Sequence, residues 1–168
     1  MINHPINKII YFFCMIILFF GQPGSGKTTL AGELTRAFST EFIDRQKTKW
    51  IDGDEWREIT KNKDYSREGR MLNLRGAFDM AIKLEKEDHL VILSFVAPYQ
   101  QLRKYLKENS NQLIQIYLTY NEDRGKHKFF VADFEDAQDP TLIINTSIRS
   151  IAESIADIKC LDQQLSGS

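Results

Sequence analysis

The chain has 168 residues, a length that fits one domain with a buried core. Its 22 Lys and Arg against 23 Asp and Glu give a formal net charge of −1. That balance argues against a polynucleotide ligand, which needs a basic face, but leaves room for a local basic pocket holding one or two phosphates. The two cysteines, Cys14 and Cys160, lack metal-ligand spacing and read as reduced thiols of a cytoplasmic protein.

Ile9 to Phe20 is an unbroken apolar run, too short to span a bilayer, which takes about 20 residues. It has the character of a signal-peptide core. Yet it ends directly on Gly21, where a glycine-rich loop begins, so cleavage there would remove the strand that holds the loop. A central strand of a parallel sheet is apolar throughout because both its faces are covered. The run therefore reads as a strand over about 15–20. Met15 opens it and is a candidate start, with 1–14 an N-terminal extension and 15–168 a single domain.

No repeat, low-complexity stretch or Pro/Gly-rich linker divides the chain. Short apolar runs alternate with amphipathic stretches, the pattern of a parallel α/β sheet. After the first strand a helix is predicted from Gly26 to about Phe38, then a short strand at Thr48–Asp52 and a helical turn to about Thr60. Ser66 is placed to cap a long helix in which Met71, Leu74, Phe78, Ile82 and Glu85 fall at helical spacing. A strand follows at Leu90–Phe95, then a helix opening on Pro98 and running to about Glu108. Leu113–Leu118 reads as a strand, and Thr119 to Pro140 as a polar segment with no clear period. Leu142–Asn145 is the last strand and Ser147–Leu165 the closing helix. The expected fold is an α/β three-layer sandwich around a five-stranded, mostly parallel sheet. Ligands of such a sheet gather at the carboxyl ends of its strands.

Gly21-Gln22-Pro23-Gly24-Ser25-Gly26-Lys27-Thr28 matches G-x-x-x-x-G-K-[ST] at every fixed position, between a strand and a helix opening on Thr29. The glycines let backbone N–H groups turn inward onto phosphate oxygens at a helix N-terminus. Lys27 would reach the β- and γ-phosphates of ATP, and the Thr28 hydroxyl would ligate Mg²⁺. With this loop the expected sheet is of the P-loop nucleoside-triphosphate hydrolase and kinase type. The N-K-x-D motif of GTPases is missing. The apolar strand ending in Asp-Glu of motor ATPases is missing too, since Val91-Ile92-Leu93 runs into Ser94. Instead, Asp52-Gly53-Asp54 ends the second strand, followed by Arg57. Asp52 is the candidate to orient or deprotonate an acceptor hydroxyl, and Asp54 with Glu55 is expected to cap the next helix. On the long helix, Arg70, Asn73 and, less directly, Arg75 fall near one edge and suit an acceptor's phosphate or sulfate, with a solvated helix face as the alternative.

From these motifs the chain resembles the adenylyl-sulfate kinases, which phosphorylate the 3′-hydroxyl of adenosine 5′-phosphosulfate. The phosphate loop is generic. More specific are Asp52-Gly53-Asp54-Glu55-Trp56-Arg57 against D-G-D-x-x-R, and Tyr65-Ser66 with Arg70, Asn73, Leu74 and Arg75 against F-S-x-x-x-R-x-x-N-I-R-R. Ser94-Phe95-Val96-Ala97-Pro98-Tyr99 with Arg103 matches S-F-I-S-P-Y-x-x-x-R, and Asn145-Thr146 stands for D-T. The resemblance implies a sulfate-assimilation type of kinase using ATP and Mg²⁺, with Asp52 and Lys27 catalytic. It implies acceptor binding by Asp52, Arg57, Tyr65, Arg70, Asn73, Leu74, Ser94 and Phe95, and a lid arginine, Arg124, near ATP. The partner would be a small nucleotide, with no nucleic acid or membrane involved, and a homodimer is compatible.

The lid departs from the family. Arg124-Gly125-Lys126-His127-Lys128-Phe129-Phe130 reaches Asp133-Phe134-Glu135-Asp136 and Pro140 early, and the F-T-G piece of the longer lid is missing. A short lid over about 119–140 leaves the acceptor open between adenylyl sulfate and another activated nucleotide. Relatives in capsule and other surface-polysaccharide pathways point to a cytidine diphosphate derivative such as cytidine diphosphoramidate. Phe129, Phe130 and Phe134 could stack a base or belong to the core. A rival of another class is a regulator that senses ATP without transferring phosphate, but such a protein has no use for the acceptor residues.

Overall fold

A computed structural model describes residues 15–41 and 47–165. The expected extension over 1–14, including Cys14, lies outside the described residues. β1 (Met15–Phe20) leads through the glycine-rich turn into α1 (Lys27–Glu41). There follow β2 (Thr48–Asp52), α2 (Gly53–Thr60), α3 (Arg67–Lys86), β3 (Leu90–Ser94), α4 (Gln100–Asn109) and β4 (Leu113–Thr119). A 3₁₀ turn at His127–Phe129, β5 (Leu142–Asn145) and α5 (Ile151–Leu165) complete the order. The strands lie β2-β3-β1-β4-β5 and every pairing is parallel. The sheet is thus wholly parallel.

Alternation along β1 divides the core. Met15, Ile17 and Phe19 face α1 and α5, meeting Leu30, Leu34, Phe38 and Ile158. Ile16, Leu18 and Phe20 face α3 and α4, meeting Leu74, Phe78, Ile82, Leu102 and Leu106. Each large side chain so covered contributes about 1.5–3 kcal/mol, which makes β1 the rigid floor beneath the loop it feeds.

Helix starts are set by side-chain acceptors. Ser66 accepts from Gly69 N (3.1 Å) and opens α3, as expected. Ser150 and Glu153 exchange backbone N–H groups (2.8 and 3.2 Å) in a capping box, so α5 starts at Ile151, four residues beyond Ser147. α4 starts at Gln100 instead of Pro98, because Ala97, three residues past β3, has φ +43° and Tyr99 is still extended. The first N–H of α4 is taken by a distant carboxylate, Gln100 N donating to Glu135 at 2.7 Å. Glu85, on the buried face of α3, accepts from Asn111 N and Gln112 N (2.9 and 3.0 Å), fixing the turn into β4.

Candidate active site

The carboxyl ends of β1, β2 and β3 open into a cleft of about 760 Å³, roofed by residues 126–131. Gly21, at φ +148°, has no room for a Cβ against the carbonyl oxygen of Leu118 on β4, so the turn out of β1 requires glycine. Lys27 opens α1 from beneath the loop and is buried, its Nζ donating to the Gln22 carbonyl (2.9 Å) and the Ser25 hydroxyl (3.4 Å). Burial pushes its ammonium down from 10.5 to about 8, against the opposing pull of the Asp52 and Asp54 carboxylates.

Asp52 is the hub. The β2–β3 register sets it beside Ser94. Its Oδ2 accepts from the Ser94 hydroxyl (2.7 Å) and the Thr28 hydroxyl (2.9 Å), and its Oδ1 accepts from Asp54 N (3.0 Å). Trp50, two residues earlier on the same face of β2, donates its indole N–H to Ser94 Oγ (2.9 Å). An indole only donates, so the Ser94 proton is left to point at Asp52.

The expectation that Asp54 caps α2 is corrected. Asp52, extended at φ −94° and ψ 144°, is the cap, because β2 passes into α2 with no turn between them. Asp54 stands in the first turn and lines the cleft.

Arg57, Tyr65, Arg70, Asn73, Leu74 and Phe95 line the same cleft. Arg57 Nη1 donates to Asn62 O and Oδ1 and to Asp64 O (3.1–3.2 Å), and its guanidinium lies 4.3 Å from the Tyr65 ring centroid. Asn73 is buried, its carbonyl accepting from Trp56 Nε1 (3.1 Å) and its Oδ1 from Thr60 (3.4 Å). Leu74 and Phe95 belong to the core as well, Phe95 meeting Phe78 edge to face. Arg75 leaves this group. Its guanidinium pairs with Asp79 (3.1 Å) and sits 3.7 Å from the Tyr105 ring centroid, outside the cleft.

Other residues expected to meet ATP act on the loop itself. Arg124 Nη1 donates to Gly24 O and Thr146 Oγ1 (2.9 Å each), and Thr146 in turn donates to Ser25 O (3.0 Å). The Gln22 side chain turns to Val131 in the roof, while Gly21, Ser25, Gly26 and Thr29 do not line the cleft. Pro23, Gly24, Lys27 and Thr28 do.

The roof is tied down behind the cleft. Arg103, buried, donates to Ala97 O (2.6 Å), Glu135 O (2.7 Å) and Asp136 O (3.2 Å). Glu135 N reaches Pro98 O (2.9 Å), Arg67 pairs with Asp133 (2.7 Å), and Phe134 stacks on Tyr117. Phe134 therefore packs, half-buried, against the core, whereas Phe129 and Phe130 line the cleft. Lys126 and Lys128 line it too, and sequence reasoning assigned them no role. Their signal was the density of cations after Arg124. That of Trp50 was its period-two relation to Asp52. Five cationic side chains and two carboxylates thus line the cleft of a chain of net charge −1.

The model of the adenylylsulphate kinase family matches residues 13–130. The adenylyl-sulfate kinase of Halothermothrix orenii is 27% identical, over 84% of this chain and 85% of its own. That of Staphylococcus haemolyticus is 28% identical, over 86% and 81%. Among solved structures, the Mycobacterium tuberculosis APS kinase CysC in complex with AMPPNP and APS superposes with a TM-score of 0.77. It is 19% identical, with 89% of this chain and 97% of that one covered. Shikimate kinase from Aquifex aeolicus shares the fold at a TM-score of 0.59 and 15% identity, with 92% of this chain and 100% of that one covered. With the phosphate loop, Asp52 and a second group of polar residues opening on one cleft, the chain belongs to the adenylylsulphate kinase family, phosphotransferases that pass a phosphoryl group from ATP to a hydroxyl acceptor.

Proposed function

We propose that the chain phosphorylates the 3′-hydroxyl of a small nucleotide, adenosine 5′-phosphosulfate in the first reading, giving 3′-phosphoadenosine 5′-phosphosulfate. One observation carries this. A phosphate loop with a buried lysine, the cations Arg57 and Arg70 and the amide of Asn73 line one cleft together with Asp52, which is bonded to Thr28 of the loop. In this reading the backbone of Gly21–Thr29, the Lys27 and Thr28 side chains and Arg124 form the ATP side, the Gln22 carboxamide being turned away to Val131. Arg57, Tyr65, Arg70, Asn73, Leu74, Ser94 and Phe95 form the acceptor side.

Lys27 neutralises charge that gathers on the β- and γ-oxygens. Asp52 holds the acceptor hydroxyl and takes its proton late, as the acceptor oxygen bonds to the γ-phosphorus and the bridging oxygen departs with ADP. Thr28 and Ser94, both donating to Oδ2, fix the plane of that carboxylate. The Thr28 hydroxyl, which opens on the cleft beside the loop, is a hard oxygen donor of the kind Mg²⁺ favours and would hold it. When bound, Mg²⁺ supplies further neutralisation of phosphate charge.

A second reading keeps the reaction and changes the acceptor to a cytidine diphosphate derivative such as cytidine diphosphoramidate. Its support is the short roof, which carries two lysines and the exposed Phe129 over the cleft. A diphosphate and a smaller base suit such a roof. A cytoplasmic location, a homodimer and a single kinase domain over 15–168 with a lid near 119–140 belong to the same proposal. Among the described residues, no helix is long and apolar enough to cross a membrane.

The test is a panel of nucleotide acceptors incubated with ATP and Mg²⁺, scored by ADP release and by mass of the product. Turnover with adenylyl sulfate supports the first reading, and turnover confined to cytidine diphosphate derivatives selects the second. ADP release that no acceptor stimulates would overturn both and favour an ATP-sensing protein.

A further inference from the structure

The roof loop 125–130 has both its feet on the phosphate loop. At one foot Arg124 donates to Gly24 O, and Tyr120 donates its hydroxyl to Pro23 O (2.8 Å). Gly24 itself is closely covered, since a Cβ there would lie 2.8 Å from Lys126 Cγ. At the other foot the Gln22 carboxamide pairs with a single residue of the roof. Gln22 Nε2 donates to Val131 O and Val131 N donates to Gln22 Oε1, both at 3.0 Å. The two bonds fix the orientation of the amide, because its oxygen must face the N–H and its nitrogen the carbonyl. Val131 is buried, so its backbone groups have little water to fall back on if the carboxamide is removed.

We propose that Gln22 is a positioning residue for the acceptor, a latch that holds the roof over the cleft. The side chain of a residue in the ATP loop thereby governs how well the other substrate is held. ATP oxygens are served by the backbone of this loop and by Lys27, and the Gln22 carboxamide is already committed to Val131. The loop so pinned carries Lys126, Lys128 and Phe129, all exposed and all lining the cleft. Releasing the latch lets these groups spread over open positions, which weakens the acceptor by the fraction of time the roof spends away. The effect on the acceptor rests on the kinase reading above. The latch itself does not.

The test uses Gln22→Leu and Gln22→Met, which keep the bulk and lose both hydrogen bonds. Arg124, Lys126 and Lys128 make the roof its own reporter, because trypsin cuts after each of them. Expected are cleavage at Lys126 and Lys128 faster by about tenfold and an acceptor KM higher by about tenfold. ATP affinity, measured directly, should shift by less than about twofold, which also certifies that the variants fold. Two variants with normal ATP affinity but wild-type cleavage rates and acceptor KM would overturn the proposal. So would a loss of ATP affinity equal to the rise in acceptor KM, since Gln22 would then be an ordinary ATP ligand. If no acceptor turns over, cleavage alone decides: faster cutting supports the latch although the kinase reading has failed, and unchanged cutting overturns it.

Discussion

Lys27 titrates within reach of an ordinary binding experiment. Its folded-state value of about 8, held below 10.5 chiefly by burial, means that near pH 8 about half of the free protein carries a neutral amine. A triphosphate beside Nζ favours the ammonium, so ATP binding pulls a proton onto Lys27. Above pH 8 each further unit then weakens ATP by up to tenfold, or about 1.4 kcal/mol, and affinity at pH 9 should be about tenfold below that at pH 7. Isothermal titration calorimetry at pH 7, 8 and 9, in buffers of different ionisation enthalpy, reads both the affinity and the proton count. About half a proton should be taken up per ATP at pH 8 and very little at pH 7. The same shift acts on folding with a defined sign. Below pH 8 the lysine is charged in both states and the native state bears the cost of burying it. Between pH 8 and 10.5 the unfolded chain keeps a proton that the native state has shed. The free protein should therefore become more stable over that window, by at most about 3 kcal/mol. Lys27→Ala should abolish the proton uptake and lower turnover by about a hundredfold or more. ATP affinity that is level from pH 7 to 9, with heats independent of buffer, would refute the reasoning.

Asp52→Asn keeps a capping oxygen for Asp54 N but removes basicity, so kcat should fall by about 10²–10⁴-fold with melting temperature nearly unchanged. Asp54→Asn should cost less than about tenfold, and steady-state kinetics showing the reverse order would move the base two residues along. Arg70→Ala should raise the acceptor KM by about ten- to a hundredfold while ATP affinity stays near wild type, as separate titrations of the two substrates would show. Arg103→Lys should destabilise the protein by about 2–3 kcal/mol in urea denaturation. A single ammonium cannot reproduce the planar fork that meets the carbonyls of Ala97, Glu135 and Asp136.

Much of this architecture was legible because it is local. Apolar runs marked the strands, and G-x-x-x-x-G-K-[ST] fixed where the first one ends. Ser66 marked the start of α3. What failed depended on direction or distance. Arg75, five residues after Arg70, is turned about 140° from it around the helix, enough to send it to Asp79 and Tyr105 instead of the cleft. Asp52 and Asp54 were separable only by knowing that β2 enters α2 without a turn. Pro98 looked like a helix start, but the positive φ of Ala97 and a carboxylate from Glu135 moved that start to Gln100. The pairing of Gln22 with Val131 spans 109 positions, and no spacing rule reaches so far.

The place of β1 in the sheet has a consequence for the making of the protein. Its six residues are almost completely buried, and the strands that flank it, β3 and β4, end at Ser94 and Thr119. A ribosome adds residues at about 5–20 per second, so Met15–Phe20 waits about 5–20 s before both neighbours have been synthesised. Throughout that interval Met-Ile-Ile-Leu-Phe-Phe is an uncharged, proline-free segment of high strand propensity, the kind that pairs with copies of itself. Synthesis in cells short of nascent-chain chaperones should therefore yield aggregates seeded at this strand. The soluble yield should respond to translation rate and temperature more than to the stability of the finished fold.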